Sequence, residues 1–383
     1  MPTYNRFNLN AVSSDGTYIY DDTGAKYLDF TSGIGVCSIG HNDDGFKTAI
    51  KTQLDKLTHV SNLYYNYAGI EFAEKLCKKT KYDKVFFANS GAEANECAIK
   101  LARKYSHDKY GDGRHNIITL NNSFHGRTLT TLSATAQPNM HMHFSPFSEG
   151  FIFCDPNNFD SILNKNDSSV CAIMLEFIQG EGGVIPLDRN FIIKLFEYAK
   201  KNDILMIADE VQTGAGRTGK YLCSEHYNVF PDITTMAKGI GGGLPIGACL
   251  CTKELSDTMS VGTHGSTFGG NPVVCAGASY VIDKMNTSFL YNVEKKGDYL
   301  FNKLIELDGV KKVNSKGLMF GIVPDYTKLK ITARQFSEKC LKHHLMLLTA
   351  KENIRLLPPL TVSFEEIDEA CSIIKNVLNE FIN

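Results

Sequence analysis

Ile233-Thr-Thr-Met-Ala-Lys238-Gly-Ile-Gly-Gly-Gly243 is a short apolar run closed by a lysine and followed by a string of glycines. An earlier run, Ile204-Leu-Met-Ile-Ala208, closes in the same way on Asp209. A buried strand that ends on a charged residue is how α/β proteins present reactive groups in the crevice beyond their strand ends. Outward from these two runs, Val85–Phe87, Asn116–Leu120, Phe151–Cys154, Val170–Leu175 and Ile246–Cys251 also read as strands. Between them, Ala92–Tyr105 carries an apolar stripe through Ala94, Cys97, Ala98, Leu101 and Tyr105, and Phe191–Lys200 repeats the pattern. The alternation predicts an α/β protein with a mainly parallel central sheet and helices on both faces. Residues 1–45, with Tyr18-Ile-Tyr20 and Tyr27-Leu-Asp-Phe30, read as an N-terminal hairpin-bearing segment that belongs with a smaller domain. Residues 46–272 then form the large domain, and 273–383 a C-terminal α+β domain in which Pro358-Pro359 interrupts a strand-like segment.

Composition narrows the class. At 383 residues the chain supports two or three domains with a large core. Hydrophobic residues at 43% and charged residues at 21% are those of an ordinary globular protein. Forty basic against 42 acidic residues give a formal charge of −2, so neither nucleic acid nor an anionic membrane is an expected partner. The N-terminus lacks an apolar signal core, and no apolar stretch is long enough to span a bilayer. The 11 cysteines are scattered, none forms Cys-x-x-Cys, and several lie inside strand-like runs. That is the distribution of free buried thiols in a reducing cytoplasm, with no metal site called for.

Chemistry gathers at the strand ends. An amine at Lys238 and a carboxylate at Asp209 suit a cofactor that condenses with the amine and needs an anion to keep it protonated; pyridoxal 5'-phosphate is of that kind. In Ala88-Asn-Ser90-Gly91-Ala92-Glu93 a strand gives way to a helix, whose first turn offers free amides and partial positive charge. A phosphate would be held there by the Gly91 and Ala92 amides with the Ser90 hydroxyl; the plain alternative is a serine cap paired with Glu93. Phe124-His-Gly-Arg127 offers a ring to lie on a planar cofactor and a fork for a carboxylate. Glu176 and Glu181 bracket Ile178-Gln-Gly180 and fit either a site rim or a solvated loop. Gly214-Ala-Gly-Arg-Thr-Gly-Lys220 matches G-x-G-x-x-G and nearly matches a P-loop, which raises a nucleotide-dependent enzyme as an alternative of another class. Tyr221 stands where a P-loop needs Ser or Thr, and Asp209-Glu-Val-Gln-Thr213 separates the glycines from their strand.

Taken together, Asn89-Ser-Gly-Ala-Glu-Ala-Asn95, Gln179-Gly-Glu-Gly-Gly183, Asp209-Glu-Val-Gln212 and His264-Gly-Ser-Thr-Phe-Gly-Gly-Asn271 resemble the class III (ω-amino) aminotransferases of the fold-type-I pyridoxal-phosphate superfamily. The resemblance extends from Gly35-Val-Cys-Ser-Ile-Gly-His41 to Ile354-Arg-Leu-Leu-Pro-Pro359. It implies a ping-pong exchange of an amino group between N-acetylornithine and 2-oxoglutarate in arginine biosynthesis. Succinyldiaminopimelate, γ-aminobutyrate and ornithine are alternative donors within the class. By the same resemblance Lys238 bonds the cofactor aldehyde and carries the transferred proton, while Asp209 pairs with the pyridinium nitrogen. Gln212 touches the ring hydroxyl and Phe124 stacks on the ring. Gly91 and Ala92 bind the phosphate from one subunit and Thr267 reaches it from the other, which requires a homodimer. Arg127 binds the acetylornithine α-carboxylate with the partner's Ser266 nearby, Arg355 binds that of glutamate, and Glu181 masks Arg355 in the other half-reaction. Three positions depart from the family. Ile34 replaces the tyrosine of ornithine enzymes, which suits an acylated amine; Ala92 replaces a frequent threonine; Phe177 replaces a common proline.

Overall fold

The protein is described by a computed structural model over residues 1–382. Seven strands form the central sheet, in the spatial order Lys84–Ala88, Gly247–Cys251, Ile233–Ala237, Leu205–Asp209, Val170–Leu175, Asn116–Leu120 and Phe151–Cys154. Gly247–Cys251 runs antiparallel to both its neighbours, and the remaining pairings are parallel. Successive residues of a strand point to opposite faces. Leu205 and Ile207 therefore pack with Cys97, Ala98 and Leu101 of the helix Gly91–Tyr110. Met206 and Ala208 face Phe191 and Leu195 of the helix Arg189–Lys201. Burial on both faces explains why these runs are continuously apolar, and each fully buried Leu or Ile contributes roughly 1.5–3 kcal/mol. The mainly parallel sheet with helices on both faces is as the sequence predicts.

The carboxyl ends of five strands meet on one side of the sheet. Ser90, Phe124, Glu176, Asp209 and Lys238 all lie at or just beyond them. Pairing between Leu205–Asp209 and Ile233–Ala237 sets Asp209 opposite Thr235, just short of Lys238.

A second sheet, in the C-terminal part, has the order Val310–Lys316, Met319–Pro324, Asn353–Leu356, Leu348–Ala350 and is antiparallel throughout. Arg355 lies on one of its inner strands opposite Gly321. Pro358-Pro359 ends this strand rather than interrupting one, since proline brings no N–H to a ladder. At the N-terminus, Ala11–Asp15, Tyr18–Asp21 and Lys26–Asp29 form a meander whose last strand is joined in parallel by Leu345–Met346. Phe177 is fully buried and stacks on Tyr227 at 5.1 Å between centroids, so it anchors the chain just after Glu176 by packing. Among the described residues no helix is long and apolar enough to cross a membrane.

Candidate active site

Beyond the strand ends lies a cavity of about 470 Å³, lined by residues from six different chain segments. Ser90, Gly91, Ala92, Phe124, Arg127, Asp209, Gln212 and Lys238 all contribute to its wall. These eight residues come from four separate stretches, 90–92, 124–127, 209–212 and 238, and the fold brings them to one place.

The helix start is both cap and cradle. Ser90 Oγ accepts the Glu93 amide at 3.2 Å, while Glu93 reaches back to the Asn89 amide at 2.6 Å. The cap accordingly occupies the serine hydroxyl and leaves Gly91 and Ala92, the first two helical residues, on the cavity wall. Glycine is needed at 91 because a Cβ there would lie 2.6 Å from Val211 Cγ1, in the loop that follows Asp209. The helix N-terminus is thereby pressed against that loop.

Asp209 is 4% exposed, and its carboxylate is held from three directions. Asn95 Nδ2 donates to Oδ2 at 2.8 Å, His125 Nδ1 lies 2.8 Å from the same oxygen, and the Val211 amide donates to Oδ1 at 3.1 Å. A carboxylate only accepts, so Nδ1 carries the histidine proton. Asn95 in turn donates to the His125 carbonyl at 2.7 Å and accepts from Thr235 at 2.6 Å, bracing helix, loop and strand together. His125 Nε2 is buried without a partner. Neither His125 nor Asn95 was assigned a role from the sequence. The available signal was Asn95 itself, a polar residue on the inward stripe of a buried helix, where such a group requires a partner.

Lys238 sits at φ +48, a left-handed backbone conformation that a side-chain-bearing residue adopts at a cost of about 1–3 kcal/mol. Burial brings its amine down from the usual lysine value to about 8; Arg355 pushes the same way, and Glu181, Asp209 and Glu176 oppose. A neutral amine attacks an aldehyde, whereas an ammonium does not. Reloading of the apoprotein with pyridoxal phosphate should therefore speed up about tenfold per pH unit below 8 and level off above it, followed by absorbance. A flat profile from pH 6 to 9 would contradict the lowered value.

Glu176 is buried and accepts the Phe124 amide at 2.9 Å and the Gly180 amide at 3.1 Å. Burial raises its carboxyl to about 7, helped by Asp209 and opposed by His125 and the two amides. It is a bracket between the Phe124 wall and the loop bearing Glu181, more than the solvated rim that its spacing allowed.

Behind the wall residue Gln212, Arg355 Nη1 meets Glu181 Oε1 at 2.5 Å and Gln212 Oε1 at 3.3 Å. Arg355 is almost fully buried and Glu181 is partly exposed. Burial alone would raise the Glu181 carboxyl, but the Arg355 charge and hydrogen bond, Lys238 and Gln212 together hold it below the ordinary value. Arg127 is exposed, with its guanidinium 5.6 Å from the Phe124 ring centre.

Two predicted residues lie elsewhere in the chain. Ser266 and Thr267 line a separate depression of about 930 Å³, where Ser266 Oγ accepts Asn89 Nδ2 at 3.3 Å. The Gly214–Lys220 segment does not form a nucleotide cradle. The amides of Gly216, Arg217 and Gly219 are bonded within the segment or to Tyr221, and only a short 3-10 turn, Cys223–His226, follows.

The family model Aminotransferase class-III matches residues 2–378. The chain belongs to the class-III aminotransferases. An acetylornithine aminotransferase of Haemophilus ducreyi is 47% identical over 381 residues, covering 99% of this chain and 96% of its own. Among solved structures, the ornithine aminotransferase from Toxoplasma gondii superposes with a TM-score of 0.93 at 28% identity, covering 99% of this chain and 92% of that one. The N-acetylornithine aminotransferase from Stenotrophomonas maltophilia K279a superposes with a TM-score of 0.86 at 31% identity, covering 99% and 98%. Class-III aminotransferases use pyridoxal 5'-phosphate, and the residues of this cavity fit that group. An uncapped pair of helix-start residues suits the phosphate, a buried anion suits the ring nitrogen, and a lysine with a lowered pKa suits the aldehyde.

Proposed function

We propose that this aminotransferase takes the side-chain amino group of N2-acetyl-L-ornithine and passes it to 2-oxoglutarate, giving N-acetylglutamate 5-semialdehyde and L-glutamate. The observation that carries the reading is the masked arginine, Arg355 held by Glu181 and bonded to Gln212 in the wall of the lysine-bearing cavity. A bare arginine there would draw in any carboxylate, and a charge-assisted bond of that kind is worth about 1.5–3 kcal/mol. With Glu181 in place, the cavity admits a donor whose reacting amine lies far from its carboxylate. With Glu181 withdrawn, Arg355 takes the α-carboxylate of glutamate or 2-oxoglutarate. Support for the acylated donor comes from the 47% identical relative and from an apolar Ile34 just before the cavity-lining Val36. The fold does not select the donor, because an ornithine enzyme superposes with a TM-score of 0.93 and an acetylornithine one with 0.86.

The residue roles follow from the same reading. Bound pyridoxal phosphate supplies an aldehyde for the amino group and a ring that withdraws electrons from the reacting carbon. Lys238 holds and returns the proton at that carbon. Asp209 keeps the ring nitrogen protonated, with His125 and Asn95 fixing its carboxylate. Phe124 covers one ring face and Gln212 meets the ring hydroxyl. The helix start at Ser90, Gly91 and Ala92 receives the phosphate, and Arg127 receives the donor's α-carboxylate. Thr267 and Ser266 act from a partner subunit in a homodimer. Support for the dimer is their absence from the cavity of their own chain and the exposed Leu63, Tyr65, Tyr67, Val261 and Phe268 nearby. Unpaired thiols throughout support a cytoplasmic location, where the product would serve arginine biosynthesis.

Comparing kcat/KM for acetylornithine, succinyldiaminopimelate, γ-aminobutyrate and ornithine with 2-oxoglutarate as acceptor tests the donor. A preference for free ornithine would overturn it. Glu181→Ala is expected to slow the acetylornithine half-reaction about 10–100-fold relative to the glutamate one, the factor that corresponds to one charge-assisted bond. Single-turnover rates measure both, and an unchanged ratio would remove the gate.

A further inference from the structure

Arg217, inside the glycine motif whose amides are bonded internally, is 2% exposed. Its Nη1 donates to the Leu318 carbonyl at 2.9 Å and to the Pro358 carbonyl at 2.6 Å. The Leu318 amide returns a bond to the Arg217 carbonyl at 3.0 Å. These two carbonyls flank Arg355: Leu318 leads into the strand whose Gly321 pairs with Arg355, and Pro358 follows the Arg355 strand itself. From the other side, Ser32 Oγ donates to the Leu357 carbonyl at 2.6 Å, and the Leu357 amide donates to the Phe30 carbonyl at 2.8 Å. Arg217 Nη2 has no partner, and burial lowers the guanidinium to about 9 although the Asp29 carboxylate favours its charge. A buried, incompletely satisfied guanidinium is costly to keep merely as a rivet. The glycines on either side are there for contact: a Cβ on Gly216 would lie 2.9 Å from Leu290, and one on Gly219 would lie 2.2 Å from Glu294.

We propose that Arg217, braced by Ser32, is the positioning residue for Arg355, fixing the height at which that guanidinium meets the α-carboxylate of glutamate and 2-oxoglutarate. The G-x-G-x-x-G segment is thus a clamp between the large sheet and the strand carrying the carboxylate site. This role rests on Arg355 being that site. It predicts a one-sided defect, because the Arg217 and Ser32 side chains bond carbonyls beside Arg355 and none of Lys238, Asp209 or Arg127. A loosened strand displaces Arg355 and its contacts to Glu181 and Gln212 first, and so weakens dicarboxylates most, while a general packing defect would scale both half-reactions together.

The holoenzyme and its Arg217→Lys and Ser32→Ala variants test it. Lysine keeps the charge but has one ammonium in place of a planar fork and cannot reproduce both carbonyl contacts in the same geometry. Glutarate, a five-carbon dicarboxylate, is titrated by calorimetry, and the two half-reactions are timed in single turnovers. The expected result is that R217K raises the glutarate Kd and the glutamate KM about tenfold or more and S32A about threefold, with the acetylornithine half-reaction within about twofold of the parent, as befits a misplaced binding group. Equal slowing of both half-reactions, or unchanged glutarate binding, overturns the proposal. If R217K does not yield holoenzyme, S32A decides by the same two readouts. Should the parent itself neither bind glutarate nor use glutamate, the assignment of Arg355 falls instead, and the two failures are told apart.

Discussion

Lys238→Ala is expected to leave a folded protein that turns over about 10⁴-fold more slowly, the upper range for losing a positioned acid–base group. The side chain ends a strand and faces the cavity, so its removal opens no void in either side of the sheet core. Alanine occupies the same left-handed backbone position, so the strain at φ +48 is unchanged. What is lost is the amine proposed to bond the cofactor and move the proton. The helix-start cradle at Gly91 and Ala92 remains, so the variant should still take up pyridoxal phosphate but release it on dialysis, while the parent keeps it. Steady-state rates and absorbance after dialysis measure both effects. A variant that keeps its cofactor and loses less than about tenfold in rate would place the proton carrier elsewhere.

Asp209→Ala should cost both stability and activity, because the carboxylate gathers three donors and is also the anion proposed for the ring nitrogen. Three donors converge on it, from Asn95, His125 and Val211, and each loses this acceptor in the variant, although Asn95 keeps its bond to the His125 carbonyl. A buried donor left without a partner costs about 1–3 kcal/mol, so a fall in unfolding free energy of that size or more is expected in urea titrations. Turnover should fall about 10²–10³-fold, the scale for removing one preorganised electrostatic partner. Asp209→Asn separates the effects. The amide fills the same space and keeps an acceptor oxygen, so it should recover part of the stability while recovering little activity, since it carries no charge for a ring nitrogen. An asparagine variant within about threefold of the parent rate would show that the negative charge is not what the site uses.

Much of this site could be read in order along the chain. Lys238 and Asp209 announced themselves because each closes a short, mainly apolar run, a pattern produced by burial on both faces of a parallel sheet. Gly91 and Phe124 followed from the same logic at neighbouring strand ends. Glu176 was ambiguous because spacing alone does not distinguish a loop carboxylate from one that receives two amides, and only folding brings Phe124 and Gly180 to its oxygens. His125 lies between two residues whose roles were anticipated, but its importance is set by an aspartate 84 positions away. Phe177 looked anomalous until its stack on Tyr227 gave it a place in the core.

By itself the sequence determined the strand runs, their mainly parallel arrangement and the pairing of an amine with an acid at the strand ends, because hydrophobic periodicity and strand-end chemistry are local properties. Tertiary structure alone decided that Glu181 lies on Arg355, that three donors hold Asp209, and that the glycine motif at 214–220 is a buried clamp and not a phosphate loop. Each of those depends on contacts between segments distant in the chain, and the bonds that satisfy a buried polar group are chosen only when those segments pack together.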